Sequence, residues 1–164
     1  MKIGVAADHA GFEAKNSVTS ELREAGYTVI DFGATVYDPD DDYPDCVGPL
    51  ARAVSSGQVD KAIAICGSGV GVSVAANKFP GVRAALVSET YSAHQGVEHD
   101  DMNLLCLGAR VTGPALMMEV IHAYLHVRLS GEDRFRRRVA KVRALEDRYF
   151  RETPPDPDTN TPGL

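Results

Sequence analysis

Cys66-Gly67-Ser68-Gly69-Val70-Gly71 is the segment of this chain best equipped for chemistry. Its three glycines let the backbone turn sharply and come close to a ligand. Their N–H groups can converge on an oxyanion. A helix-like stretch follows, and a helix N-terminus favours a thiolate at the cysteine. A thiolate beside such donors can attack a carbonyl or move a proton. Taken by itself, the segment is better read as a buried cysteine before a tight turn. The segment is not a P-loop, because no Gly-Lys-Ser/Thr follows, and it departs from the dinucleotide fingerprint G-x-G-x-x-G.

Other candidates are spread along the chain. Asp8-His9 follows a short apolar run, where a histidine can donate to phosphate or act as acid and base. The alternative is a helix cap by Asp8 with a solvated His9. His99 sits in Glu98-His99-Asp100-Asp101-Met102-Asn103, where neighbouring acids favour the charged ring; an exposed loop histidine is the plainer account. Arg134 and Arg138 share a helical face and could clamp a phosphate by bidentate bonds, with Arg110 as a third cation. A solvated basic face or a nucleic-acid surface is the alternative there. His94, His122 and His126 read as structural, since no Glu-x-x-His pattern surrounds them. The acidic run Asp38, Asp40, Asp41, Asp42, Asp45 lacks EF-hand spacing and glycine, so it reads as a solvated loop.

The elements that must position these residues alternate. Ile3–Ala7, Tyr27–Ile30, Ala62–Ile65, Arg83–Val87 and Leu104–Leu107 are short and apolar, as buried parallel strands are. Helical spacing covers Gly11–Ala25, Val47–Ser55, Val72–Lys78, Ser88–Val97, Pro114–Leu129 and Arg134–Phe150, with Asp38–Asp45 as loop. This predicts an α/β fold, a five-stranded parallel sheet covered on both faces. Ligands in such folds sit beyond the carboxyl ends of the strands, near helix N-termini. Residues 1–151 read as one domain. The segment 152–164, rich in proline, is expected to be a disordered arm.

Composition limits the function classes. At 164 residues the chain can bury a proper core. No apolar run is long enough to span a bilayer, and the N-terminus has no signal-peptide pattern. Cys46, Cys66 and Cys106 form no C-x-x-C pair, which argues against a disulfide framework or zinc site and points to a reducing cytoplasm. Net charge is −6, with an excess of basic residues confined to the C-terminal segment. An acidic chain with one basic segment fits a small anionic ligand or an acidic partner better than nucleic acid.

At these residues the chain resembles a known family. Asp8-His9-Ala10-Gly11-Phe12 with Lys15, Asp31-Phe32-Gly33, Asp42-Tyr43-Pro44-Asp45, the Cys66–Gly71 loop, Ala75-Ala76-Asn77-Lys78, Gly81–Ala84, His99, Asn103, Gly108-Ala109-Arg110 and the Arg134/Arg138 pair are similar, in order, to the ribose-5-phosphate isomerase B family. That family includes the subunits of galactose-6-phosphate isomerase. The resemblance covers about residues 1–150. It implies a Rossmann-like three-layer α/β/α subunit in a homodimer or dimer of dimers. Sites would lie at the subunit interface, with the C-terminal helix packed on the partner.

The implied reaction is aldose–ketose isomerisation of a sugar phosphate through an enediolate, with no metal and no cofactor. Ribose 5-phosphate and ribulose 5-phosphate are the first candidates. Allose 6-phosphate, galactose 6-phosphate or a free rare aldose are the alternatives, and a non-catalytic phosphosugar-binding module is the last. Carried over by position, Cys66 is the base, His99 opens the furanose ring, and Ser68 joins them as catalytic. Backbone of Gly67, Gly69, Val70 and Gly71 holds the enediolate. Asp8, Tyr43, Asp100 and Asn103 line the sugar, and His9, Arg110, Arg134 and Arg138 hold the phosphate. One branch of the family replaces the cysteine by a glutamate at the position of Val72, so this chain is of the cysteine type. Asp100 stands where many members have Asn, and Ser68 where many have Thr. The tail extends past the usual end.

Overall fold

The computed structural model describes residues 1–151; the arm expected at 152–164 lies outside the described residues. Five strands form one parallel sheet: β1 (Lys2–Ala7), β2 (Thr28–Asp31), β3 (Lys61–Cys66), β4 (Ala84–Leu86) and β5 (Leu104–Gly108), in the order β2-β1-β3-β5-β4. Six helices connect and flank them: α1 (Phe12–Glu24), α2 (Tyr43–Ser55), α3 (Val70–Ala76), α4 (Thr90–Asp100), α5 (Pro114–Leu125) and α6 (Asp133–Arg151).

Residue size along the strands sets the layers. Successive strand side chains point to opposite faces. Ile3, Val5, Ile63, Ile65, Leu105 and Leu107 fill the face covered by α1, α4 and α5. Ala6, Ala62, Ala64, Cys66 and Cys106 line the face covered by α2 and α3. On β1 and β3 the second face carries small side chains, so α2 sits close. A Cβ on Gly4 would lie 2.5 Å from Leu50 Cδ1 of α2.

Element ends differ from their sequence readings for local reasons. α2 begins at Tyr43 inside the expected loop, with Pro44 in the first turn, where its missing N–H removes nothing. α3 runs from Val70 and stops at Ala76. Asn77 then bridges Ser73 O and the Ala84 backbone of β4. α4 starts at Thr90, where Glu89 accepts the Ser92 N–H. It continues to Asp100, so His99 lies in a helical last turn rather than a loop. Asp101 ends that helix at φ 56° and is clamped by Arg83 through Nε to its carbonyl (2.6 Å) and Nη2 to its carboxylate (2.7 Å). α5 stops at Leu125, short of Leu129, because Lys61 Nζ takes the carbonyls of Tyr124 (2.6 Å) and Val127 (2.8 Å). Burial there pulls the Lys61 ammonium down to about 8.

Candidate active site

The chain leaves β1 for β2 on one side of the sheet and returns through β3 on the other. The crevice between the carboxyl ends of β1 and β3 is therefore the switch point where doubly wound folds bind ligands. Asp8 and His9 follow β1 there, Cys66 ends β3, and Gly67–Gly71 follows it. A cavity of about 410 Å³ opens at that point, lined by Asp8, His9, Tyr43, Cys66, Gly67, Ser68, Gly71, Arg110 and small neighbours. Eight sequence-predicted residues thus meet in one hollow.

Close backbone packing shapes the loop. Gly69 has φ +83°, and a Cβ there would sit 2.5 Å from Leu86 Cδ1 and 2.9 Å from the Leu107 carbonyl carbon. Gly108 passes so near that its Cβ would fall 2.6 Å from Ser68 O. The Ala109 N–H donates to Cys66 O at 2.8 Å and Arg110 N–H to Gly67 O at 3.0 Å. These bonds tie the loop after β5, and with it Arg110, to the loop after β3. Gly71 lies under the Tyr43 ring, where a Cβ would come within 2.9 Å. Tyr43, the first residue of α2, is thereby laid over the turn.

Cys66 is 5% exposed at the end of β3, and its Sγ accepts the Gly69 N–H at 3.0 Å. A donor aimed at sulfur binds a thiolate more strongly than a neutral thiol. One N–H expected to cradle an oxyanion is thus turned to the sulfur instead. Burial pushes the Cys46 thiol up to about 11 and the Cys106 thiol to about 12, so both stay protonated at neutral pH. Ser68 is exposed, and its Oγ accepts from Val70 N–H at 3.3 Å. Asp8 caps the single 3-10 turn His9–Gly11, accepting the Gly11 N–H at 3.1 Å, and also lines the crevice. Cap and wall are two uses of one side chain. Val72 is buried beside Cys66 in the α2/α3 face. Lys15, fully buried, ties Asp31 and Ala34 O at 2.7 Å each and holds the strand end behind the crevice.

The acidic run is only partly a solvated loop. Asp41 folds back onto His9: its Oδ1 accepts the His9 backbone N–H at 2.9 Å and ring Nδ1 at 2.7 Å. The Asp41 side-chain bond raises the His9 pKa above 6.5. Burial alone would lift the Asp41 carboxyl, but the bonds from His9 outweigh it and leave it below its usual range. Sequence spacing gave no sign of this pair, since Asp41 is one of several equivalent aspartates and the contact spans a helix and a strand.

The remaining candidates gather elsewhere. Asn103 O accepts the Ala62 N–H at the amino end of β3, and β3 rises about 13 Å from Ala62 to Cys66. Asn103 and the last turn of α4, with His99 and exposed Asp100, thus lie at the opposite edge of the sheet from the thiol. The Asn103 side chain serves structure there, donating to Gly81 O and accepting the Arg83 N–H, both at 2.8 Å. His99 stacks on Phe135 of α6, rings 3.9 Å apart and 9° from parallel, with Nε2 at 3.3 Å from Glu98. The guanidinium carbons of Arg134 and Arg138 lie 4.3 and 5.9 Å from the same Phe135 ring. The structure therefore brings the candidates together as two half-sites. The thiol half carries the glycine loop and Arg110; the imidazole half carries two arginines. Among the described residues no group of three or more His, Cys, Asp and Glu could hold a metal ion, and no helix is long and apolar enough to cross a membrane.

A Rossmann-like sheet with a thiol-centred crevice at its switch point places the chain among doubly wound α/β proteins. Residues 3–142 match the Ribose/Galactose Isomerase family, to which the chain belongs. It is 43% identical to ribose-5-phosphate isomerase B of Escherichia coli, over 90% of this chain and 97% of that protein. It is 38% identical to the D-erythrulose-4-phosphate isomerase of Pectobacterium atrosepticum, over 80% of this chain and 86% of that one. The crystal structure of ribose-5-phosphate isomerase B from Mycoplasma genitalium with bound ribulose-5-phosphate is 36% identical. It superposes with a TM-score of 0.84, covering 93% of this chain and 97% of that one.

Proposed function

We propose that the chain interconverts ribose 5-phosphate and ribulose 5-phosphate, with Cys66 as the proton-transfer base. The observation that carries this is the Cys66 sulfur, held by the Gly69 N–H at 3.0 Å inside the crevice that Asp8, His9, Tyr43 and Arg110 also line. Support comes from the E. coli relative and from the M. genitalium structure that holds ribulose 5-phosphate.

The Cys66 thiolate takes the C2 proton of the open-chain aldose. The C–H pair becomes the C1=C2 bond, and the carbonyl oxygen O1 takes the charge, met by N–H groups of the Gly67–Gly71 turn. Ser68 relays the O2 proton to O1, and the sulfur returns its proton to C1, giving the ketose. His9 and Arg110 hold the phosphate, whose remote binding energy orients the reacting carbons.

A second copy of the chain completes the site. In one chain His99, Arg134 and Arg138 cannot reach the thiol half, because the sheet stands between. In a dimer, one copy's His99 opens the furanose ring and its two arginines close on the phosphate, over the other's crevice. The outer face of α6, with Val142, Leu145 and Tyr149 exposed, is the surface that packs on the partner. A soluble protein of the cytoplasm fits this chemistry. Residues 1–151 act as the single functional domain.

The test is Cys66→Ala in an isomerase assay. A positioned base contributes about 10²–10⁴-fold, so turnover falls by that factor while the far-ultraviolet spectrum is kept. Near-wild-type turnover overturns the assignment. A second reading keeps the chemistry and changes the sugar. The relative named for D-erythrulose 4-phosphate is nearly as similar as the E. coli one, and Asp100 would reach sugar oxygens from the second copy. Values of kcat/KM across pentose, hexose and tetrose phosphates decide between them.

A further inference from the structure

One carboxylate grips His9 twice. Asp41 Oδ1 accepts both the backbone N–H and ring Nδ1, and its Oδ2 takes the Cys46 thiol at 3.8 Å. Cys46 is buried in α2, so the carboxylate is anchored from behind as well as in front. Ring Nε2 has no partner among the described residues, and the ring lines the crevice together with Cys66 and Arg110. An imidazole whose Nδ1–H is held by a carboxylate is fixed in tautomer and orientation.

We propose that Asp41 is the positioning residue for His9, anchoring Nδ1–H so that Nε2 faces the crevice as a donor to the substrate's phosphate beside Arg110. This rests on the sugar-phosphate reading above and adds to it a residue that acts through another. A neutral ring with Nδ1 protonated offers only a lone pair at Nε2, which repels a phosphate oxygen. Only the imidazolium donates from both nitrogens. The Asp41 bond favours that form most, desolvation opposes it, and Asp8 adds to it through space. The charged and titratable groups around the ring come from several elements. Asp8 precedes it in its own turn, Tyr43 comes from α2 and Cys66 from β3. Arg110 comes from the loop after β5, and Glu13, Glu21 and Tyr37 line a neighbouring cavity that His9 and Arg110 also border.

The experiment follows the His9 ring by nitrogen NMR, with His9→Gln identifying its signals among the five histidines. In the wild type the neutral ring carries its proton on Nδ1; the opposite tautomer overturns the proposal without any Asp41 variant. Asp41→Asn lowers the His9 pKa, because the side-chain bond that favours the charged ring is weakened. The Kd for inorganic phosphate and the KM for the sugar phosphate then rise about tenfold near pH 8, the worth of one charge-assisted hydrogen bond, and far less near pH 5.5, where the ring charges regardless. In the His9→Gln background Asp41→Asn adds nothing. An unmoved His9 titration, an equal loss at both pH values, or a full loss without His9 overturns the role. Tautomer, titration and phosphate binding need no turnover, so these results stand apart from the isomerase reading.

Discussion

Replacing Gly69 by Ala tests the geometry that holds the sulfur. At φ +83° the alanine enters the left-handed region, which costs an L-residue about 1–2 kcal/mol. Its Cβ also meets Leu86 Cδ1 at 2.5 Å, the Leu107 carbonyl carbon at 2.9 Å and Gly108 N at 3.2 Å. Leu86 can turn aside, but two of these contacts are backbone of β5, and overpacking of this kind costs about 1–3 kcal/mol. The sum is about 2–5 kcal/mol, a large share of the 5–15 kcal/mol typical of a domain. Gly26 is the control: its φ is +88° with nothing within 4 Å, so Gly26→Ala bears the backbone strain alone. Urea unfolding of the two variants should place Gly69→Ala below Gly26→Ala by the crowding share, about 1–3 kcal/mol. Relief of the crowding moves the Gly69 N–H away from Cys66, so kcat should fall about tenfold or more, as for loss of an oriented donor. Equal stability of the two variants, or an unchanged kcat, refutes the close-packed turn as the device that orients the thiol.

Mixing Cys66→Ala chains with Arg134→Ala/Arg138→Ala chains, after unfolding and refolding together, should restore about a quarter of wild-type activity. Half of random dimers are mixed, and each holds one complete site of two; no restoration refutes the shared site. The His9–Asp41 pair gives a pH signature in stability. His9's folded pKa lies above 6.5, so its share is full below 6.5 and lost as pH rises through the raised value. The Asp41 pKa is depressed below 3.8, so its share holds above 3.8 and fades as pH falls through the depressed value. The melting-temperature gap between wild type and His9→Gln should therefore be widest between those limits and shrink above neutrality. Lys15→Ala strands the Asp31 carboxylate beside the core and should destabilise by about 3–5 kcal/mol, read in urea, whereas exposed Arg143→Ala should cost under about 1 kcal/mol despite its 3.0 Å contact with Asp101.

The layers were legible from the order of residues alone. Short apolar strands alternating with amphipathic helices leave a parallel sheet as the arrangement that buries both faces. Glycines after β3 announced a close backbone approach, because local letters encode local conformation. Distances between residues far apart in the chain came from the folded path. It put Asp8, His9, Cys66 and Arg110 around one crevice, since all lie at or just past strand ends on the carboxyl edge. It placed His99 in the last turn of α4 at the opposite edge, since that helix runs back across the sheet. It chose Asp41 from a run of aspartates, since only there does the loop meet the turn after β1. Helix ends also waited on partners from elsewhere: Lys61 reaching the α5 carbonyls and Arg83 reaching Asp101. A strand's period is written in neighbouring residues, but which carboxylate meets which imidazole depends on the path of the whole backbone.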